Sequence, residues 1–276
     1  MKIKYLSPVI LVMVILLKTG TALAVDDWEQ YQRLRQHLFY PAAQNFQSIT
    51  CRLQSAAYDE TAQHIDNKLR KGFGQGNYYF DSGASSLELT FSASSDRFWV
   101  KISPAIVKPE GLLTPPNLQG LRNELGGSLK FDQDFLTNSF ENLRIPRRER
   151  YHNLSVTSLG DKVMVAYQDA SDGYNEVKEY YRPDHHILIQ PTPPGALIWD
   201  FDYTTIAKDG YGQNKRLLTQ EKNGEINPQG DVTRLYTSRT VIEYAYYSNI
   251  LFPVHFLVIL DGIVHEVQLN ECRVVR

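Results

Sequence analysis

The chain has 276 residues, with 29 basic and 31 acidic side chains, a net charge of −2 and 42% hydrophobic composition. A mildly acidic chain without basic runs is a poor partner for nucleic acid or for an anionic membrane surface. Its two cysteines, Cys51 and Cys272, stand too far apart for a Cys-x-x-Cys metal or redox motif.

The N-terminus carries Lys2 and Lys4, an uncharged apolar run from Tyr5 to Leu17, and Thr21-Ala22-Leu23-Ala24 with small residues at −3 and −1. That pattern predicts a secretory signal peptide over residues 1–24, cleaved after Ala24. The run is shorter than the roughly 20 residues that span a bilayer, so no integral membrane segment and no lipidated cysteine is expected after cleavage. Removing 24 residues leaves 252. The leader holds three lysines and no acid, so the net charge falls from −2 to −5. Residues 25–276 are read as one β-rich domain in the periplasm or outside the cell, since no linker or composition break divides them. In an oxidising compartment Cys51 and Cys272 are expected to form a disulfide; two separate buried thiols are the alternative.

In chain order, Trp28, Tyr31, Leu34 and Leu38 make a helical stripe over 26–40, with Asp26 or Asp27 as N-cap and Pro41 as a stop. Residues 46–53 fit helix or strand. Tyr58 to Lys71 reads as a second helix with Ala62, Ile65 and Leu69 on one side, ended by Gly72. The period then changes to two: Leu87, Leu89 and Phe91 form one strand, and Phe98, Val100 and Ile102 another. Prolines 104, 109, 115 and 116 predict a loop over 104–116. Two short helices follow, one with Leu118, Leu121 and Leu125 before Gly126-Gly127. The other carries Leu136, Phe140 and Leu143, capped by Asp132 or Asp134. They suit a lid over a concave sheet, and equally suit ordinary core elements.

Strands resume at 162–168 and 174–182, joined through Asp172-Gly173, then at 187–190 and 196–203. Asn223-Gly224 predicts a hairpin turn after 216–221, and 231–247 a long strand. The last hairpin turns at Asp261-Gly262. It pairs Leu260 with Ile263, Val258 with His265, Phe256 with Val267 and Val254 with Leu269 on an apolar face. Ile259–Val264, Leu257–Glu266 and His255–Gln268 share the other face. Nine or ten strands joined mostly by tight turns predict a mainly β fold. The expected form is a curved antiparallel sheet, an unclosed half-barrel, covered by short α-helices.

No nucleophile elbow, phosphate loop or His-Glu-x-x-His appears, and no catalytic residue, metal or cofactor is assigned. Asp200 and Asp202 share one strand face, a solvent-facing acidic stripe or a carboxylate pair. Adjacent His185 and His186 should point apart, and His255 and His265 lie on opposite faces. His265 reads as a core histidine, and His37, His64 and His152 as surface residues.

From Tyr244 to Val274 an aromatic strand runs through Ile250-Leu251-Phe252-Pro253 into a strand, a glycine turn and a last strand. With the leading helix, first strands and helical interruption, this ending resembles the periplasmic lipoprotein-carrier superfamily, the Lol-type half-barrels, and related lipoprotein-sorting proteins. The resemblance implies an unclosed barrel that holds acyl chains. By analogy the concave lining would include Leu87, Leu89, Phe91, Trp199, Phe201, Phe256, Val258 and Val267. The family's carriers tie lid to barrel through a buried arginine; no arginine here maps to that place, so lipoprotein transfer is not carried over. The function expected is non-catalytic binding of a lipid, acyl chain or other hydrophobic ligand. An envelope interaction module with a filled interior, or a hydrolase using Asp200/Asp202 or His185/His186, are the alternatives.

Overall fold

In a computed structural model the described residues are 26–170, 173, 175–182, 185–192, 195–208, 214–226, 232–260 and 262–276. The predicted signal peptide, and Asp172, Asp184 and Asp261, which were expected in turns, lie outside them. In chain order the elements are α1 (Asp27–Arg35), β1 (Ser48–Ser55), α2 (Ala56–Phe73), β2 (Tyr79–Asp81), β3 (Glu88–Ser92), β4 (Arg97–Lys101), β5 (Ile106–Lys108) and α3 (Pro115–Glu141). Strands β6 (Tyr151–Leu159), β7 (Lys162–Asp169), β8 (Asn175–Tyr181), β9 (His185–Thr192) and β10 (Gly195–Lys208) follow. The chain closes with β11 (Asn214–Ile226), β12 (Val232–Tyr247), β13 (Ile250–Leu260) and β14 (Ile263–Val275). Twelve strands form one curved antiparallel sheet in the order β4-β3-β1-β14-β13-β12-β11-β10-β9-β8-β7-β6. Its edges β4 and β6 do not meet, so the sheet is unclosed; β2 and β5 pair separately. Among the described residues no helix is long and apolar enough to cross a membrane.

Directly opposed residues of an antiparallel ladder share a face, so the pairings trace rows across the sheet. One row runs Val163, Tyr181, His186, Phe201, Glu221, Thr240, Val258, His265. It is apolar toward β13, polar and aromatic at the centre, and carries the helices. The expected β13–β14 register holds from Leu260–Ile263 to His255–Gln268.

At the β1–β14 end this face is roofed by α3. Its Phe140 ring lies 5.7 Å from Phe91, 5.9 Å from Phe252 and 5.6 Å from Phe256. The two short helices expected here are one helix of 27 residues that runs through Gly126 and Gly127. A Cβ added at either glycine would meet nothing within 4 Å, so both sit on an open side. Each costs the helix about 1 kcal/mol, whereas burying each of Leu121, Leu125, Leu129, Leu136 and Phe140 gains about 1.5–3 kcal/mol. Tertiary contact wins. Pro115 and Pro116, expected in a loop, start this helix, where their missing N–H groups have no partner to lose. Asp132 is not a cap but a buried mid-helix group that accepts from Ser55, the N-cap of α2, and so ties roof to sheet.

Other boundaries also shift. α1 ends at Arg35, five residues early, because Leu38 and Phe39 leave it to pair with β11: Phe39 N–H donates to the Arg216 carbonyl at 2.9 Å. α2 ends one residue after Gly72, and the C-cap is Gly74, whose φ of +81° suits glycine. β11 passes straight through Asn223-Gly224, where the ladder to β12 shifts register instead of turning. Strands β5 and β6 carried no clear alternation and were not expected.

Candidate functional site

The eight residues expected to line a hollow divide unevenly. Leu87, Leu89, Phe91, Phe256, Val258 and Val267 are buried, and five of them belong to the cluster on which α3 packs. Trp199 is half-buried against that cluster, and Phe201 borders open space. The apolar half of the concave face is thus occupied by the roof helix. The room lies at the other half, under α1.

There α1 sets Trp28, Tyr31 and Leu34 on Val163, Val165, Tyr167, Val177 and Tyr181. Beyond its C-terminal turn a cleft of about 610 Å³ opens. Its walls are Leu34, Leu38, Val163, Tyr181 and Tyr203, and its rim holds Arg33, Arg182, Lys215 and Arg216 against the single acid Asp161. A second, smaller cavity of about 210 Å³ lies toward the loop after α3 and is lined by Leu188, Phe201 and five arginines, Arg35 among them. His186 and Tyr203 border both spaces. They form the septum between them, with His186 Nδ1 3.2 Å from the Tyr203 hydroxyl and the His186 ring stacked 4.6 Å from Tyr181 and 4.5 Å from Phe201. Burial, with Arg35 and His185 nearby, holds His186 well below the usual imidazole range, so it is neutral.

Behind the septum sits Glu179, 1% exposed. It accepts from the hydroxyls of Tyr167 at 2.7 Å, Tyr31 at 3.4 Å and Tyr181, with Arg35 Nη1 at 4.0 Å. Arg35 donates in turn to Tyr31 at 3.0 Å and Tyr40 at 2.8 Å. This network clamps α1 to the sheet with every strong partner inside the protein.

Glu221 lies next to Phe201 in the same row, and its Oε2 is buried without a hydrogen-bond partner among the described residues. Burial pushes its carboxyl up to about 7, against a smaller lowering by a hydrogen bond with Asn142 at the end of α3. The folded state therefore holds this proton more tightly than the unfolded chain. The stabilisation is complete below about pH 4.5 and is lost as pH rises through about 7, a swing on the order of 3 kcal/mol. Replacing Glu221 with glutamine should flatten that fall in urea-unfolding midpoints; an unchanged slope would assign the pH dependence elsewhere.

On the opposite face of β10, the structure joins two groups that the sequence kept apart. His185 opposes Asp202 across β9–β10, and ligand atoms of His185, Asp200 and Asp202 lie within 4.8 Å of one another. Among the described residues this is the set that could hold a metal ion. Lys222 Nζ already stands 3.1 Å from Asp202 Oδ2. Burial works to raise Asp202, but the hydrogen bonds from Lys222 and His185 outweigh it and hold the carboxyl below its usual range. The group therefore reads as a neutralised ion-pair network, with Asp200 buried and His185 and Asp202 half-buried. His186 points to the concave face and His185 away from it, the divergence expected for neighbours in a strand. His255, on the face opposite His265, bonds Glu243 and Glu266 at 2.9 Å each. His37, His64 and His152 are exposed, and His265 is half-buried with its ring 4.8 Å from Phe131.

No family model, no curated protein and no solved structure matches this chain. The site has to be read from its own chemistry. Arg35, Glu179, Arg216 and Glu221 were missed in the sequence, and His186 was named there only as half of a pair with His185. Each sits in a polar break of an alternating strand or a helix end, and the signal was the very charge that looked like a solvated face.

Proposed function

We propose that the protein is an exported, non-catalytic binding protein that holds a hydrophobic chain in the cleft between α1 and β7–β11. One observation carries this: the concave face is filled by α3 at its apolar half, yet keeps about 610 Å³ of unfilled, largely apolar-walled space at the other. That volume falls within the range of small-molecule sites, about 300–1,000 Å³. Burying roughly eight methylenes there gains about 6 kcal/mol before the cost of association, enough for reversible binding. The leader-like N-terminus, the disulfide and the likeness to the half-barrel carriers support an envelope location.

The test is native mass spectrometry of protein purified from the compartment to which it is exported. A small-molecule adduct released by organic solvent is the expected result. A bare polypeptide mass, together with capture of a stoichiometric protein partner, would favour the second reading, an envelope interaction module. The filled apolar half, and exposed Ile263 and Val264 in β14, speak for that reading.

A further inference from the structure

We infer that the ligand of this cleft is an amphiphile with a terminal oxyanion, read by Arg216; the inference rests on the cleft being a ligand site. Arg216 is fixed by its backbone, which donates to the His37 carbonyl at 2.8 Å and accepts from Phe39 N–H at 2.9 Å. Its side chain borders the cleft, and its Nη1 is buried without a hydrogen-bond partner among the described residues. A buried guanidinium N–H left unpaired is a standing penalty, which turning the guanidinium into the cleft toward an incoming anion removes.

The neighbouring charges are spoken for. Arg33 pairs with Glu29 at 2.6 Å, Arg182 with Asp161 at 3.4 Å, and Lys215 donates to the Gln36 carbonyl at 2.5 Å. With Asp161 so engaged, no other carboxylate among the described residues lines the cleft to answer Arg216. Leu34, Leu38 and Tyr203 meanwhile offer an alkyl chain an apolar wall. A planar guanidinium facing such a wall matches a carboxylate or phosphate end, which it can grip with two parallel N–H bonds. Long-chain carboxylates and alkyl phosphates share that chemistry.

The test is calorimetric titration of the full mature chain, at neutral pH and below micelle-forming concentrations, with dodecanoate, dodecyl phosphate, dodecanol and dodecylamine. At least one anion should bind about 10-fold or more tightly than dodecanol, as charged hydrogen bonds predict, and whichever does identifies the head group. Arg216→Gln should remove that margin, so that the preferred anion and dodecanol bind the variant alike. Dodecanol or dodecylamine binding as tightly as both anions would overturn the oxyanion inference while the cleft stood. Binding of none of the four would instead overturn the cleft. Should Arg216→Gln fail to fold, the wild-type comparison of anions with dodecanol still decides.

Discussion

Replacing Glu179 with alanine should destabilise the protein by about 3–5 kcal/mol, the penalty for stranding a buried charge. The carboxylate is the common acceptor of Tyr31, Tyr167 and Tyr181, and the acid nearest the buried Arg35. Burial pushes all three phenols well above their ordinary range, so they donate and cannot replace it as anions. Neutral His186 cannot answer Arg35 either. Removing Glu179 therefore leaves a guanidinium and three hydroxyls short of an acceptor, and loosens α1, which forms one wall of the cleft. Glutamine, which keeps one carbonyl, should cost less than alanine. Urea-unfolding midpoints decide; a change under about 1 kcal/mol would mean that water supports the network.

Cys51 and Cys272 form the disulfide expected from their even count. They lie on adjacent strands β1 and β14, where the ladder breaks between Thr50 and Arg52. Glu271, φ +51°, marks the irregularity on the partner strand. The bridge spans 221 residues of sequence, and closing so long a loop restricts the unfolded chain by up to about 5 kcal/mol. The double variant Cys51→Ala/Cys272→Ala should lose about 3–5 kcal/mol by the same unfolding assay. Equal midpoints for oxidised protein and variant would place the stabilisation in the strand pairing alone.

Strand alternation was legible wherever one face is wholly apolar. Leu87, Leu89 and Phe91 are buried together as the alternation predicts, and the hairpin from His255 to Gln268 holds the expected register, because a slip of one residue would turn every side chain over. Helix α3 was misread at Gly126-Gly127 because local propensity is a smaller quantity than the burial of five large side chains. Asn223-Gly224 misled in the same way: a dipeptide suited to a turn is carried through a long ladder. The cleft itself was invisible. It depends on where α1 stops, on Leu38 and Phe39 pairing with β11, and on a row from His186 to Thr240 whose polar members read in sequence as any solvated face would.

The most direct measurement of the cleft is a fluorescence titration with the neutral apolar probe N-phenylnaphthylamine, comparing the natural chain with Leu34→Trp. Leu34 is half-buried on α1 and borders the open space, so an indole there takes up cleft volume while every hydrogen-bonding group of the Glu179 network stays in the chain. Saturable enhancement in the natural chain, weakened about 10-fold or more in a variant of unchanged melting temperature, is the predicted result. Equal titrations for the two proteins, or none for either, would contradict a ligand site between α1 and the sheet.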